Sequence, residues 1–295
     1  MKYVFIFITA CSLVVSLALA PALAADPAGL SAGPPSQEAG LKQDGTIDAP
    51  TELNKAYLKS YITDFENIVT SPARWDASDW IITALVSGAA VALYDNDTKI
   101  QKWALDHKTT TTDDIGDNVT DFGHGKYTPV ILGGMYLYGH FADDKKMRKT
   151  VLLSLESFIV TGAFVQTLKY STHRHRPYTN DPPHTWDGPS LKNEGADLSF
   201  ASGHASSAFA VATVIAEEYD NAFVPPLAYG IAAITAMNRV THNAHWSSDV
   251  FVGSAVGYFT GRAIVAYHRG GGEQRVSIAP MLDGNYQGLM VTCKF

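Results

Sequence analysis

Between residues 51 and 268 the apolar residues recur at helical spacing, and no strand pattern appears before Val276. That periodicity restricts the chain to an all-α architecture, a helical bundle. Leu58, Ile62, Phe65 and Val69 fall on one face of a first helix. Further helices are predicted over 80–94, 99–106, 127–141, 146–170, 203–219, 225–240 and 245–268. A long loop over 171–200 carries prolines at 177, 182, 183 and 189. The tail alternates weakly around Asp283 and Gly284, which predicts a short C-terminal β-hairpin packed on the bundle.

The segments around this body divide the chain. Residues 1–24 read as a secretory signal peptide: Lys2 is the positive end, 3–19 are almost continuously apolar, and Ala22 and Ala24 frame an A-x-A cleavage site. A retained anchor, or lipidation at Cys11, ranks below cleavage. Residues 25–50, rich in Ala, Gly, Pro and Ser, read as a disordered linker. The helical domain is assigned to 51–270 and the tail to 271–295. Cleavage removes Cys11, leaves Cys293 alone, and so excludes an internal disulfide. The chain is therefore expected to be exported, to the periplasm in a bacterium.

Composition removes one class of partner. With 22 Lys and Arg against 29 Asp and Glu, the net charge of −7 gives no reason to expect nucleic-acid binding. Most apolar runs last about 13–17 residues before a charge or turn, short of the roughly 20 that a bilayer crossing needs. A soluble exported bundle is the expectation, with peripheral membrane contact compatible. Gly253, Gly257 and Gly261 recur every fourth residue, a spacing that suits close helix contact in a membrane but is read here as tight packing within the bundle.

Three clusters carry chemistry, each where a helix begins or ends. Lys169 and Arg176 close one helix and open the long loop. Ser202, Gly203 and His204 begin the next. Arg239, His245 and Asp249 form the third. Arginine grips an anion with a planar fork of donors. The Ser-Gly turn offers free backbone N–H groups and a positive dipole end to an oxyanion. Asp249, one helical turn after His245, is placed to hold one ring nitrogen and leave the other free. Alone, that histidine and aspartate would more often be a solvated pair. The three clusters together suit a phosphoryl group, whose displacement needs charge stabilisation around its equatorial oxygens. These residues do not say which histidine attacks.

The order K-x6-R-P, S-G-H and R-x5-H-x3-D resembles the type 2 phosphatidic acid phosphatase and vanadium haloperoxidase superfamily, over Lys169 to Asp249. Two positions depart from its pattern: Ala201 stands where proline is usual and Asn238 where serine is usual. The resemblance implies a metal-independent phosphatase acting on phosphate monoesters or lipid (di)phosphates, with no cofactor. It implies that His245 is the nucleophile and forms a phosphohistidine, that Asp249 orients it, and that His204 protonates the leaving oxygen and later activates water. Lys169, Arg176, Arg239, the Ser202 hydroxyl and the Gly203 N–H would hold the phosphate. A vanadium-dependent haloperoxidase and a noncatalytic phosphate- or lipid-binding protein are the rival readings.

The remaining candidates carry less. His173 and His175 flank Arg174 and are expected at the surface or behind the site. His242 and His245 have a zinc-compatible spacing, but no third ligand completes it and Arg239 would repel a cation. His107, His124, His140, His184 and His268 carry no motif and are expected to be structural or exposed. Trp246 suits a pocket wall and core packing equally. The loop 178–198, with Trp186, is expected to cover the pocket mouth and select the substrate. An exported location admits lipid phosphates, isoprenyl diphosphates, lipid A and soluble monoesters; oligomeric state is not encoded in any motif.

Overall fold

The computed structural model describes residues 50–193 and 195–269, and the backbone of 276–283 and 286–293. The expected leader and, apart from Pro50, the expected linker lie outside the described residues. Eight α-helices are described: α1 (Lys55–Thr70), α2 (Ala77–Asp106), α3 (Thr110–Thr120), α4 (Tyr127–Phe141), α5 (Lys145–Thr172), α6 (Gly203–Glu218), α7 (Val224–Thr241) and α8 (Ser247–His268). Beyond them β1 (Val276–Asp283) runs antiparallel to β2 (Tyr286–Cys293).

Local chemistry sets the helix starts. Asn54 accepts from the Tyr57 N–H at 2.8 Å, and Asp144 from the Met147 N–H at 2.9 Å. Asp76 and Asp79 form a reciprocal capping box on α2, and Thr109 and Thr112 form one on α3. That second box explains a helix the periodicity misses: 110–120 is rich in Thr and Asp, poor interior helix formers, and forms with its start capped.

Helix α6 lies between α5, α7 and α8 and is the centre of the bundle. The glycines of α8 make this possible. A Cβ at Gly253 would sit 2.5 Å from the Ser202 carbonyl oxygen, and one at Gly257 only 2.1 Å from that of Ser206. The two backbones therefore touch, which fixes the start of α6 against the start of α8. The core around them includes Leu153, Val160, Val165, Phe200, Val252, Val256 and Ile264.

One expected boundary changes, and the structure adds the direction in which α1 faces. The helices expected at 80–94 and 99–106 are one unbroken 30-residue helix, α2, because Asp97 is buried and paired rather than exposed at a break. The face of α1 carrying Leu58, Ile62, Phe65 and Val69 points outward, while Tyr57, Ser60, Asp64 and Ile68 point in. With α2 continuous, three helices among the described residues, α2, α5 and α8, are long and apolar enough to cross a membrane. This removes the premise, short interrupted apolar runs, on which a soluble chain was expected.

Candidate active site

The last turn of α5 presents Lys169, and the chain leaves the helix at His173, whose φ of 41° is left-handed. The His173 ring nitrogens lie 3.1 and 3.0 Å from the carbonyls of Gly188 and Lys192, so this buried histidine pins the long loop rather than facing solvent. Arg174 then turns inward. Its fully buried guanidinium donates to Asp97 Oδ2 at 2.8 Å, Asp249 Oδ1 at 2.5 Å and Ser248 Oγ at 2.8 Å. The rings of Tyr94, Trp186 and Trp246 surround it at 4.9, 5.0 and 5.5 Å.

Arg176, two residues on, faces the opposite way. Its Nη1 donates to the Ala244 carbonyl at 3.1 Å and lies 3.4 Å from His245 Nε2; its Nη2 donates to the Leu198 carbonyl at 3.3 Å. Lys169 Nζ donates to that same carbonyl. Two cations thus meet at one oxygen beside His245, an arrangement that repels unless an anion joins it. The Nε of Arg176 and the Nε of Arg239 are buried donors with no acceptor in the protein. Arg239, in the last turn of α7, also donates to Asn238 Oδ1. Asn238 in turn donates to Asp117 at 3.3 Å and accepts from Thr120 at 3.3 Å, so it ties α7 to α3.

His245 is buried, and its Nδ1 lies 2.8 Å from the Ser199 carbonyl oxygen. A carbonyl only accepts, so Nδ1 carries the proton and Nε2 presents a lone pair toward Arg176. Burial first, then Arg176, Lys169 and His204, hold its pKa well below the usual histidine value. The imidazole is therefore neutral, with the Nε2 lone pair free of any proton. Asp249 is not the group that directly fixes this tautomer: its Oδ2 is 4.0 Å from Nδ1. That oxygen accepts from Ser199 Oγ at 2.5 Å and the Trp246 N–H at 3.1 Å. The carboxylate therefore reaches His245 by way of Ser199, whose hydroxyl is 3.5 Å from Nδ1.

His204, in the first turn of α6, is partly buried, edge-on to His124 at 5.1 Å between centroids. Burial, then Arg239, His124, Arg176 and Lys169, push its pKa down to about 3. Ser202 is fully buried; its hydroxyl faces the Ala205 N–H at 3.5 Å as the α6 cap, and its N–H donates to the Asp249 carbonyl at 3.0 Å. The hydroxyl oxygen thus accepts in the cap and keeps its own O–H to donate. A Cβ on Gly203 would meet nothing within 4 Å, so the space beside that residue is open.

The spacing of the three motifs therefore corresponds to one set of groups acting on one another: Lys169 and Arg176 bear on both histidines, and Arg239 on His204. Three contributors were not singled out for a role. Asp97 and Arg174 form the buried ion pair behind Asp249, and His124 flanks His204. The Asp95 and Asp97 interruption between two apolar runs was the available signal for the first; His124 stands outside every motif. His242 turns to Asp117 at 3.1 Å. Trp246 donates to the His175 carbonyl at 2.9 Å and Trp186 to the Tyr94 hydroxyl at 3.0 Å, so both tryptophans anchor the loop to the bundle.

Comparison with known proteins gives matches to this chain. The family model described as the PAP2 superfamily matches residues 150–272, a stretch that holds all eight residues of the three motifs. A lipid A 1-phosphatase of Porphyromonas gingivalis is 31% identical over 126 residues, which is 42% of this chain and 25% of that protein. The chain thus spans a quarter of the length of this relative. Among solved structures, that of Aquifex aeolicus LpxE superposes with a TM-score of 0.47 at 18% identity, over 57% of this chain and 94% of the other. A transmembrane PAP2-type phosphatidylglycerolphosphate phosphatase from Bacillus subtilis gives 0.41 at 17% identity, over 72% and 94%.

Proposed function

Because residues 150–272 match the family model described as the PAP2 superfamily, we propose that this chain is a membrane-associated phosphatase that hydrolyses lipid phosphates. One observation carries the reading: a neutral, buried His245 presents Nε2 at 3.4 Å from Arg176 Nη1, beside Lys169. A phosphate drawn between those cations meets the nucleophile. His245 Nε2 attacks phosphorus, the P–O bond to the leaving group breaks, and a phosphohistidine forms. Lys169, Arg176, Arg239 and the Gly203 N–H stabilise the charge on the equatorial oxygens. His204 gives a proton to the departing oxygen and then takes one from the water that cleaves the P–N bond. The cations do the work that a metal does elsewhere, and the nearby carboxylate, Asp249, is already committed to Arg174, Ser199 and the Trp246 N–H.

Lipid over soluble substrate is favoured by the outside of the bundle. Val130 and Phe141 on α4 are 71% and 84% exposed, and Leu85 on α2 and Met237 on α7 are also exposed. The similarity to a lipid A 1-phosphatase supports the same substrate class. Export, with the site facing the periplasm, is part of this proposal and rests on residues 1–24.

The test is phosphate release by the purified full chain in detergent, from phosphatidic acid, lipid A, an isoprenyl diphosphate and p-nitrophenyl phosphate. A lipid should give the highest kcat/KM, added Mg²⁺ should not raise the initial rate, vanadate should inhibit, and His245→Ala should release nothing. Acid-labile, alkali-stable label on His245 would identify the intermediate. Full activity in His245→Ala, or no release from any of the four, removes the proposal.

A further inference from the structure

Helix α1 turns its polar side inward, and Asp64 on that side meets Glu156 of α5 and His268 at the end of α8. His268 Nε2 lies 3.2 Å from Asp64 Oδ2 and 3.2 Å from Glu156 Oε2, and the three atoms all lie within 4.8 Å of one another. The three side chains are 3%, 5% and 0% exposed. Among the described residues, neither carboxylate has a lysine or arginine partner.

The local hydrogen bonds do not complete this cluster. His268 Nε2 has hydrogen-bond geometry toward Glu156 alone, and Asp64 Oδ2 is buried with no hydrogen-bond partner. Ser60 Oγ donates to Glu156 Oε1 at 2.8 Å, which leaves Oε2 aimed at the other two groups. With both carboxylates ionised the cluster carries net negative charge whether or not the imidazole is protonated, and burying an uncompensated charge is strongly unfavourable.

We propose that Asp64, Glu156 and His268 bind a divalent cation of the zinc class, as a structural clamp holding α1 to α5 and α8. Two carboxylates and a neutral imidazole bring a charge of −2, which the ion neutralises, and they are ligands that zinc accepts. Ligand atoms about 2.0–2.2 Å from zinc in a tetrahedron stand about 3.3–3.6 Å apart, close to the spacings of His268 Nε2 from the two carboxylate oxygens. The clamp would add to the hold that buried Tyr57 and Ile68 give α1, whose Leu58 and Ile62 face out. None of the three ligands belongs to the phosphate site, so the test involves no turnover.

The full chain in detergent is stripped with a chelator, incubated with Zn²⁺, desalted, and its metal content and melting temperature are measured. One ion per chain should bind, and saturation should raise Tm by roughly 5–10 °C. Asp64→Asn and His268→Gln should lose both the ion and the shift. X-ray absorption at the zinc edge on the wild-type chain should show a light-atom shell of oxygen and nitrogen, which reads the ligands even where a variant fails to fold. No stoichiometric uptake together with a Tm indifferent to chelator, a sulfur-containing shell, or undiminished uptake by both variants would each overturn the proposal.

Discussion

Above about pH 3 the His204 imidazole is neutral, because burial and then the charges of Arg239, His124, Arg176 and Lys169 oppose its protonation. A general acid needs a proton, so one must arrive with the substrate. Phosphate monoesters lose their second proton near pH 6, and only the monoanion brings one in. For an alkyl phosphate, kcat/KM should therefore be level below about pH 6 and fall about tenfold per unit above it. His204→Ala should cost about 10²–10⁴-fold on that substrate and far less on p-nitrophenyl phosphate, whose leaving oxygen needs no proton. A profile that rises through pH 7, or equal losses on both substrates, contradicts the role given to His204. The same shifts act on stability. The unfolded chain takes up protons on both histidines below about pH 6.5, while the folded chain, with both pKa values lowered, refuses them. Stability should thus be unaffected by these groups above pH 6.5 and be lost as pH falls from 6.5 toward 5. His175, held by Asp181 and Asp187, has a raised pKa despite the opposing effect of burial, so its contribution changes only above 6.5 and does not mask the effect. Melting curves across that range, with and without vanadate, check this; vanadate should flatten the slope. At this scale the spacing makes legible which residues come together, since Lys169, Arg176, His204, Arg239 and His245 bear on one another in the fold, while their roles rest on the proposal above. The partner of His245 was not. An i, i+4 pair on an ideal helix suggests direct contact, but His245 precedes the first turn of α8, and the Ser199 carbonyl reaches the ring first.

Helix α8 meets α6 along a seam of glycines, and that seam sets the distance between the second and third motifs. Ser202 donates its N–H to the Asp249 carbonyl across it. The overlap is worst at Gly257, where an added methyl would lie 2.1 Å from the Ser206 carbonyl oxygen and 2.9 Å from the Ala210 nitrogen. Backbone atoms cannot swing aside as side chains do, so Gly257→Ala must push α6 away from α8. Overpacking of this kind costs about 1–3 kcal/mol or more, a Tm loss of roughly 3–10 °C. Because α6 carries Gly203 and His204, kcat should fall at least about tenfold as well. Gly162→Ala on α5 is the control: nothing lies within 4 Å of its new methyl, and alanine is the better helix former there. A Gly257→Ala chain that melts and turns over like the control would show that the seam does not position the site. The seam was legible as a four-residue repeat, but which helix it faces depends on chain topology. The long α2 was misread for a related reason. Asp97 reads as a helix end when taken one residue at a time, and only Arg174, far along the chain, supplies the charge that lets α2 bury it.

The bundle as a whole places charge inside and apolar surface outside. Its centre holds the Arg174, Asp97 and Asp249 cluster and the Asp64, Glu156 and His268 cluster, all buried. Its exterior shows Leu58, Ile62, Leu85, Val130, Leu137, Phe141, Leu227 and Met237. A water-soluble bundle does the reverse, because apolar surface gains about 25 cal/mol per Å² on leaving water. The described helices are therefore proposed to sit against lipid, with α2, α5 and α8 as candidate spans, which would bring Arg176 and His245 to a lipid headgroup without extracting the lipid. The expressed chain should pellet with membranes and resist carbonate while yielding to detergent. A substitution separates this from adhesive aggregation. Leu85 is 53% exposed and sits within the apolar part of α2. On a surface facing water, Leu85→Lys would change stability by less than about 0.5 kcal/mol. Facing the middle of a bilayer, a lysine costs about 2.5–3.5 kcal/mol. The variant should accordingly accumulate less in membranes and melt lower in lipid nanodiscs than wild type, whereas Lys59→Ala, on α1 near the solvent-exposed start of the described body, should match wild type. A Leu85→Lys chain that is soluble without detergent and melts as wild type would return the bundle to water and leave its exposed leucines without a lipid partner.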